Sequence, residues 1–137
     1  MQRMGMNSQP LSASAGAATV LVVEDDPSLR MLCRVNLELE DYVVLDAGTL
    51  GRAEELLRSE PVDVILLDLH VVDRNGAELL PFLRDERPEV AVCLLSGTSE
   101  TDPPLQPGVH AFVRKPFELD DLIGTVKRLL AKEPARP

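Results

Sequence analysis

Four apolar stretches of this chain stop at residues able to do ionic or covalent chemistry. LVV (21–23) runs into Glu24, Asp25 and Asp26, then Pro27. VDVILL (62–67) runs into Asp68, and VAVCLL (90–95) into Ser96. VHAFV (109–113) is followed, past Arg114, by Lys115 and Pro116. Adjacent acids repel one another, so Glu24, Asp25 and Asp26 require something to stabilise them. Clustered carboxylates suit a hard, oxygen-seeking cation, Mg2+ above all. Three carboxylates around a divalent ion leave about one negative charge, which the Lys115 ammonium balances. A hydroxyl and an ammonium beside a metal make a phosphate cradle. A carboxylate in that setting can attack phosphorus and become an acyl phosphate.

These residues act together only if the fold brings them together. The runs TVLVV (19–23), YVVLDA (42–47), VDVILL (62–67), VAVCLL (90–95) and VHAFV (109–113) are rich in Val, Ile and Leu and mostly do not alternate with polar residues. Strands buried on both faces read this way, which predicts a parallel sheet covered by helices. Helical patterns lie between them. The first, from about Pro27 to Leu39, points Leu29, Leu32 and Cys33 inward, with Asn36 on the same face in an expected buried hydrogen bond. The second (50–58) carries Leu50, Ala53, Leu56 and Leu57. The third (76–85) carries Leu79, Leu80 and Leu83, and Pro81 should kink it or delay its regular start. The last repeats Leu119, Leu122, Ile123, Val126, Leu129 and Leu130 at helical spacing.

The fold class is therefore α/β, a doubly wound five-stranded parallel sheet with helices on both faces and right-handed crossovers. Between strands four and five, TSETDPPLQPG (98–108) holds three prolines and one large apolar residue, Leu105. A fourth helix there is expected to be short or replaced by a loop. In an open parallel sheet the carboxyl ends of the strands share one edge, and ligands bind there. Glu24, Asp25, Asp68, Ser96 and Lys115 should converge at that edge, with Asp68 the best nucleophile at the end of a central strand. Asp26 has a separate role: Asp before Pro is a favoured helix cap.

Bulk properties bound the rest. At 137 residues the chain fits one domain, expected over 19–132 between tails at 1–18 and 133–137 too polar and unpatterned to fold. Aromatic residues make up 3% of the chain, so the core must be aliphatic. A net charge of −9 argues against direct nucleic-acid binding. No apolar run is long enough for a membrane span, and nothing reads as a signal peptide, so the expected location is cytoplasmic. Cys33 and Cys93 are expected to be buried, reduced thiols, and Asp63 and Asp73 solvated.

The motifs LVVEDDPSLR (21–30), DVILLDLHVVDRNG (63–76), LLSG (94–97) and FVRKPF (112–117), in this order and spacing, resemble the receiver domain of bacterial two-component response regulators. The resemblance implies a flavodoxin-like sheet of order 2-1-3-4-5. It implies that Glu24 and Asp25 bind Mg2+, that Asp68 is the phosphoacceptor and a metal ligand, and that His70 gives the metal its backbone carbonyl. It makes Ser96 the hydroxyl that contacts the phosphoryl group and switches, Lys115 the phosphate-contacting lysine before a cis Pro116, and Phe112 the aromatic switch position. Gly76 matches the glycine eight residues past the phosphoacceptor.

The pattern also has departures. The proline usual four residues after the phosphoacceptor is Val72, which predicts a less rigid loop. His70 and Thr98 occupy positions that tune dephosphorylation in the family. The proline-rich 98–108 stretch removes the grounds for assuming the family's output and dimerisation face. The implied partners are a sensor histidine kinase or phosphotransfer protein and a downstream protein target. With only AKEPARP (131–137) after the last helix, no attached output domain is expected. The competing reading is a phosphorylation-independent docking module whose acidic pocket no longer works. A turnover phosphatase of the haloacid-dehalogenase type would need a second acid two residues after the first, where this chain has His70.

Overall fold

The computed structural model describes residues 16–72, 74–97 and 108–131. The expectations for Thr98, Asp73, most of 98–108 and most of both tails lie outside these residues.

Five strands, β1 (Thr19–Val23), β2 (Val43–Ala47), β3 (Val64–Asp68), β6 (Ala91–Ser96) and β7 (Ala111–Arg114), form one parallel sheet in the order β2-β1-β3-β6-β7. Counting these five alone, the order is the expected 2-1-3-4-5. Two further strands, β4 (His70–Val71) and β5 (Arg74–Asn75), make a short antiparallel hairpin after β3 that the sequence pattern does not announce. The strands begin and end within two residues of the expected limits.

Side chains alternate across the sheet, and each face has its own apolar layer. Val20, Val22, Val64, Leu66, Cys93 and Leu95 pack with α1 (Pro27–Glu38) and α4 (Leu119–Ala131). Leu21, Val23, Ile65, Leu67, Val92 and Leu94 pack with α2 (Leu50–Ser59) and α3 (Leu80–Glu86). All of β1 and β3 is buried, which is why these runs do not alternate.

The helix boundaries follow local chemistry. Asp26 is extended and its carboxylate accepts from the Ser28 and Leu29 amides, with Pro27 in the first turn, as expected. Thr49 caps α2 through the Arg52 amide. Pro81 does delay the third helix: Gly76–Leu79 is a 3-10 turn, and regular helix starts at Leu80.

Three expectations are corrected. Leu32 is 46% exposed, because the seam of α1 runs along Leu29, Cys33 and Leu37, and Leu32 lies about 100° away from Cys33. Asn36 is half-exposed and donates to the Leu32 carbonyl one turn back, so it makes no buried bond. Asp63 is exposed but not merely solvated: its Oδ2 accepts from the Thr19 amide at 2.8 Å, tying β3's approach to the start of β1.

Candidate functional site

The strand order reverses between β1 and β3, and a crevice at the carboxyl ends of such strands is where α/β sheets hold ligands. Glu24 follows β1 directly, and its amide bonds the Ala47 carbonyl at the end of β2. Asp68 ends β3. Ser96 ends β6, and its carbonyl takes the Lys115 amide at 2.6 Å just past β7. The Lys115–Pro116 bond is cis, as the resemblance implies.

The side chains meet. Lys115 Nζ lies 2.9 Å from Glu24 Oε1 and 3.1 Å from Asp68 Oδ2. Glu24 and Asp68 are 1% and 3% exposed. Glu24 Oε2 also accepts from the Asp26 amide at 3.0 Å. Asp68 Oδ1 stands 3.4 Å from the His70 amide. Asp25 is less buried, and its Oδ2 accepts from the Val72 amide at 2.7 Å. The acids that open the motif therefore have named donors: an ammonium for Glu24, an amide for Asp25, and the first turn of α1 for Asp26.

Burial dominates the ionisation of Glu24, raising its pKa above the ordinary carboxylate value against the pull of the Lys115 and Asp26 hydrogen bonds. Burial works to lower the pKa of Lys115. The hydrogen bond to Glu24 and the charge of Asp68 outweigh it, and the ammonium is held above its ordinary value. Charge neutralisation in this pocket thus falls on Lys115.

Glu24, Asp25 and Asp68 each place one carboxylate oxygen within 4.8 Å of the others. A donor set of oxygen alone, from three acids, fits a hard divalent cation. Ser96 is fully buried, and its Oγ has no hydrogen-bond partner among the described residues. A buried hydroxyl with nothing to bond is costly, and it suits a ligand that supplies an acceptor. Phe112 is half-buried against the layer beneath α2 and α3, with the Arg114 guanidinium 5.9 Å from its ring centroid.

Two contributors escaped the sequence reading. Arg30 Nη1 donates to the Glu24 carbonyl at 2.7 Å, and its Nε lies 3.9 Å from Asp46. Arg34 holds the other oxygen of Asp46 at 2.7 Å. The signal was present in the spacing, since Arg30 and Arg34 lie one turn apart on one side of α1. Val72 has a φ of 59°, a left-handed conformation that costs a β-branched residue about 1–3 kcal/mol.

A five-stranded flavodoxin-like sheet with an acid–lysine–hydroxyl pocket at its strand ends defines the class of fold and site. The model of the response regulator receiver domain matches residues 20–127, and the chain belongs to that family. The TorCAD operon transcriptional regulatory protein TorR of Escherichia coli O157:H7 is 34% identical over 114 residues, covering 81% of this chain and 49% of that protein. The chain thus spans about half the length of such curated relatives. A CheY-like receiver domain protein of Methanospirillum hungatei JF-1 superposes with a TM-score of 0.78 at 27% identity, covering 84% of this chain and 94% of that one. The response regulator TrrA of Thermotoga maritima, solved in complex with Mg2+ and BeF, superposes with a TM-score of 0.74 at 27% identity, covering 82% of this chain and 98% of that one. Receiver domains are signalling domains rather than turnover enzymes, and they bind Mg2+ at an acidic pocket. Among the described residues, no helix is long and apolar enough to cross a membrane.

Proposed function

We propose that this chain is a phosphoacceptor switch of a two-component phosphorelay, with residues 19–132 as its functional unit. Asp68 accepts a phosphoryl group from the phosphoimidazole of a sensor histidine kinase or phosphotransfer protein. The observation that carries the reading is the shared contact of Lys115 Nζ with Glu24 and Asp68, two buried acids at the ends of different strands.

Glu24, Asp25 and Asp68 would hold the Mg2+, with the His70 backbone carbonyl as a further ligand. When bound, the ion neutralises oxygens of the transferring group. The chain's own residues do the rest. An Asp68 carboxylate oxygen forms the new bond to phosphorus as the phosphorus–nitrogen bond of the donor breaks. The donor's imidazole nitrogen leaves with the electron pair. Lys115 meets the charge on the phosphoryl oxygens, and the Ser96 hydroxyl, without a partner among the described residues, gains an acceptor. Movement of Ser96 toward the phosphoryl group and a rotamer change at Phe112 would report the event to the surface, shifting the population between two partner-binding states. The downstream partner is a protein in the cytoplasm, and a chain of net charge −9 would not contact nucleic acid itself. The pocket's complete set of acids, hydroxyl and ammonium speaks against a docking module independent of phosphorylation.

The test is intact-protein mass after incubation with acetyl phosphate and Mg2+, beside an Asp68→Asn variant and an EDTA-treated sample. One phosphoryl adduct on the wild type, absent from both controls, is expected. No adduct, together with no Mg2+ binding, would favour the docking module.

A further inference from the structure

Val72 is the wrong residue for its turn. The two-residue connection of the β4–β5 hairpin, with His70 opposite Asn75 and Val71 opposite Arg74, demands a positive φ at its first position. Such positions favour Gly, Asn or Asp, and a β-branched residue there is an outlier. Packing does not explain the choice: Val72 is 59% exposed, while its neighbour Val71, at 1%, anchors the hairpin to the core. The strained turn does one visible thing. It aims the Val72 amide at Asp25 Oδ2, 2.7 Å away and 47 residues distant in sequence.

We propose that Val72 is a positioning residue that sets the divalent-cation affinity of the acidic cluster, by holding Asp25 in a hydrogen bond that cation binding must weaken. The inference rests on the metal-binding reading of Glu24, Asp25 and Asp68. A full carboxylate charge makes the amide bond strong. Asp25 gives up much of that charge when it ligates a dication, and the same bond then stabilises less. The bond therefore favours the metal-free site differentially, which is what couples two equilibria. Strain at Val72 opposes the bond. The valine thus holds the turn partway between locked and released. By reciprocity, the factor by which the locked turn weakens cation binding is the factor by which the bound cation weakens the turn.

Two substitutions move the balance in opposite directions. Val72→Gly keeps the amide and removes the strain, so it locks the turn on Asp25. Val72→Pro has no N–H and a φ near −65°, so it abolishes the bond. The experiment is calorimetric titration of Mg2+ into the wild type and each variant, with thermal melts of the metal-free proteins to show that they fold. Mg2+ should bind roughly fivefold more weakly to V72G and roughly fivefold more tightly to V72P than to the wild type, the low end of ordinary coupling. A purely structural role for the turn would not reverse sign between the two. If V72P fails to fold, V72G carries the test alone. V72G binding as tightly as the wild type, or V72P as weakly, overturns the inference and leaves the metal site standing. A wild type that does not bind Mg2+ overturns both.

Discussion

Gly76 presses against the backbone of the proposed phosphoacceptor: a Cβ on Gly76 would lie 2.0 Å from the carbonyl oxygen of Asp68. The Gly76 amide also bonds the Leu69 carbonyl at 2.7 Å. The end of β3 and the hairpin that follows are thus closed against each other where only a hydrogen fits. Gly76→Ala must push the Asp68 backbone outward. It should cost about 1–3 kcal/mol of stability, as overpacking does, and should lower the rate of phosphoryl uptake. Chemical denaturation and the acetyl phosphate adduct assay measure the two effects.

Lys115 offsets two buried carboxylates, so its removal should be felt most when no cation is present. Lys115→Met leaves Glu24 and Asp68 without the ammonium they share. The expected loss is about 3 kcal/mol in EDTA, the lower end for breaking a buried pair, since Lys115 is itself partly exposed. Saturating Mg2+ should restore part of it by occupying the same acids. Urea denaturation of the variant with and without Mg2+ decides this, and a loss that Mg2+ leaves unchanged would argue that the ion does not reach the pair.

Arg30 supports the site from behind, through the Glu24 carbonyl and Asp46. Arg30→Ala should cost about 1.5–3 kcal/mol, the worth of a charge-assisted hydrogen bond. Arg30→Lys should recover little, because a single ammonium cannot span the same geometry. Thermal melts of the two variants check this.

The parts of this fold readable from the sequence are those set by periodicity. Unbroken Val, Ile and Leu runs become the buried strands β1 and β3, and the spacing of Leu50, Ala53, Leu56 and Leu57 becomes the inner face of α2. The convergence of Glu24, Asp68 and Lys115 was legible too, because parallel strands must end at one edge and these residues stand at strand ends. What escaped depends on reach rather than pattern. Arg30 is a long side chain folding back along α1 to a carbonyl, and a carbonyl has no sequence signature. The Val72–Asp25 bond joins residues 47 positions apart through a turn whose φ runs against the residue's preference. Leu32 lies off the seam of Leu29, Cys33 and Leu37, and a local apolar triplet does not say which pair of its members faces the core.

The two thiols should be silent in the folded protein. Burial raises the Cys33 pKa to about 11, with Glu24 adding to the effect, and raises that of Cys93 to about 12. Both are 1% exposed or less. At mildly alkaline pH iodoacetamide should modify neither in the native state and both after denaturation. The sign for stability follows from the raised values. An unfolded thiol ionises from its ordinary value of 9.0, while the folded thiols resist until about 11 and about 12. Stability should therefore hold below that window and fall as pH rises through it. Equilibrium unfolding across alkaline pH, compared with a Cys33→Ala and Cys93→Ala double variant, checks the trend.

Borohydride trapping asks at residue level whether Asp68 itself takes the phosphoryl group. Reduction of an acyl phosphate converts its aspartate to homoserine, which peptide mass spectrometry localises. Protein treated with acetyl phosphate and Mg2+ and then reduced should carry homoserine in place of Asp68, with none in a sample kept in EDTA. Homoserine at another acid, or an adduct that forms equally without Mg2+, would contradict the account.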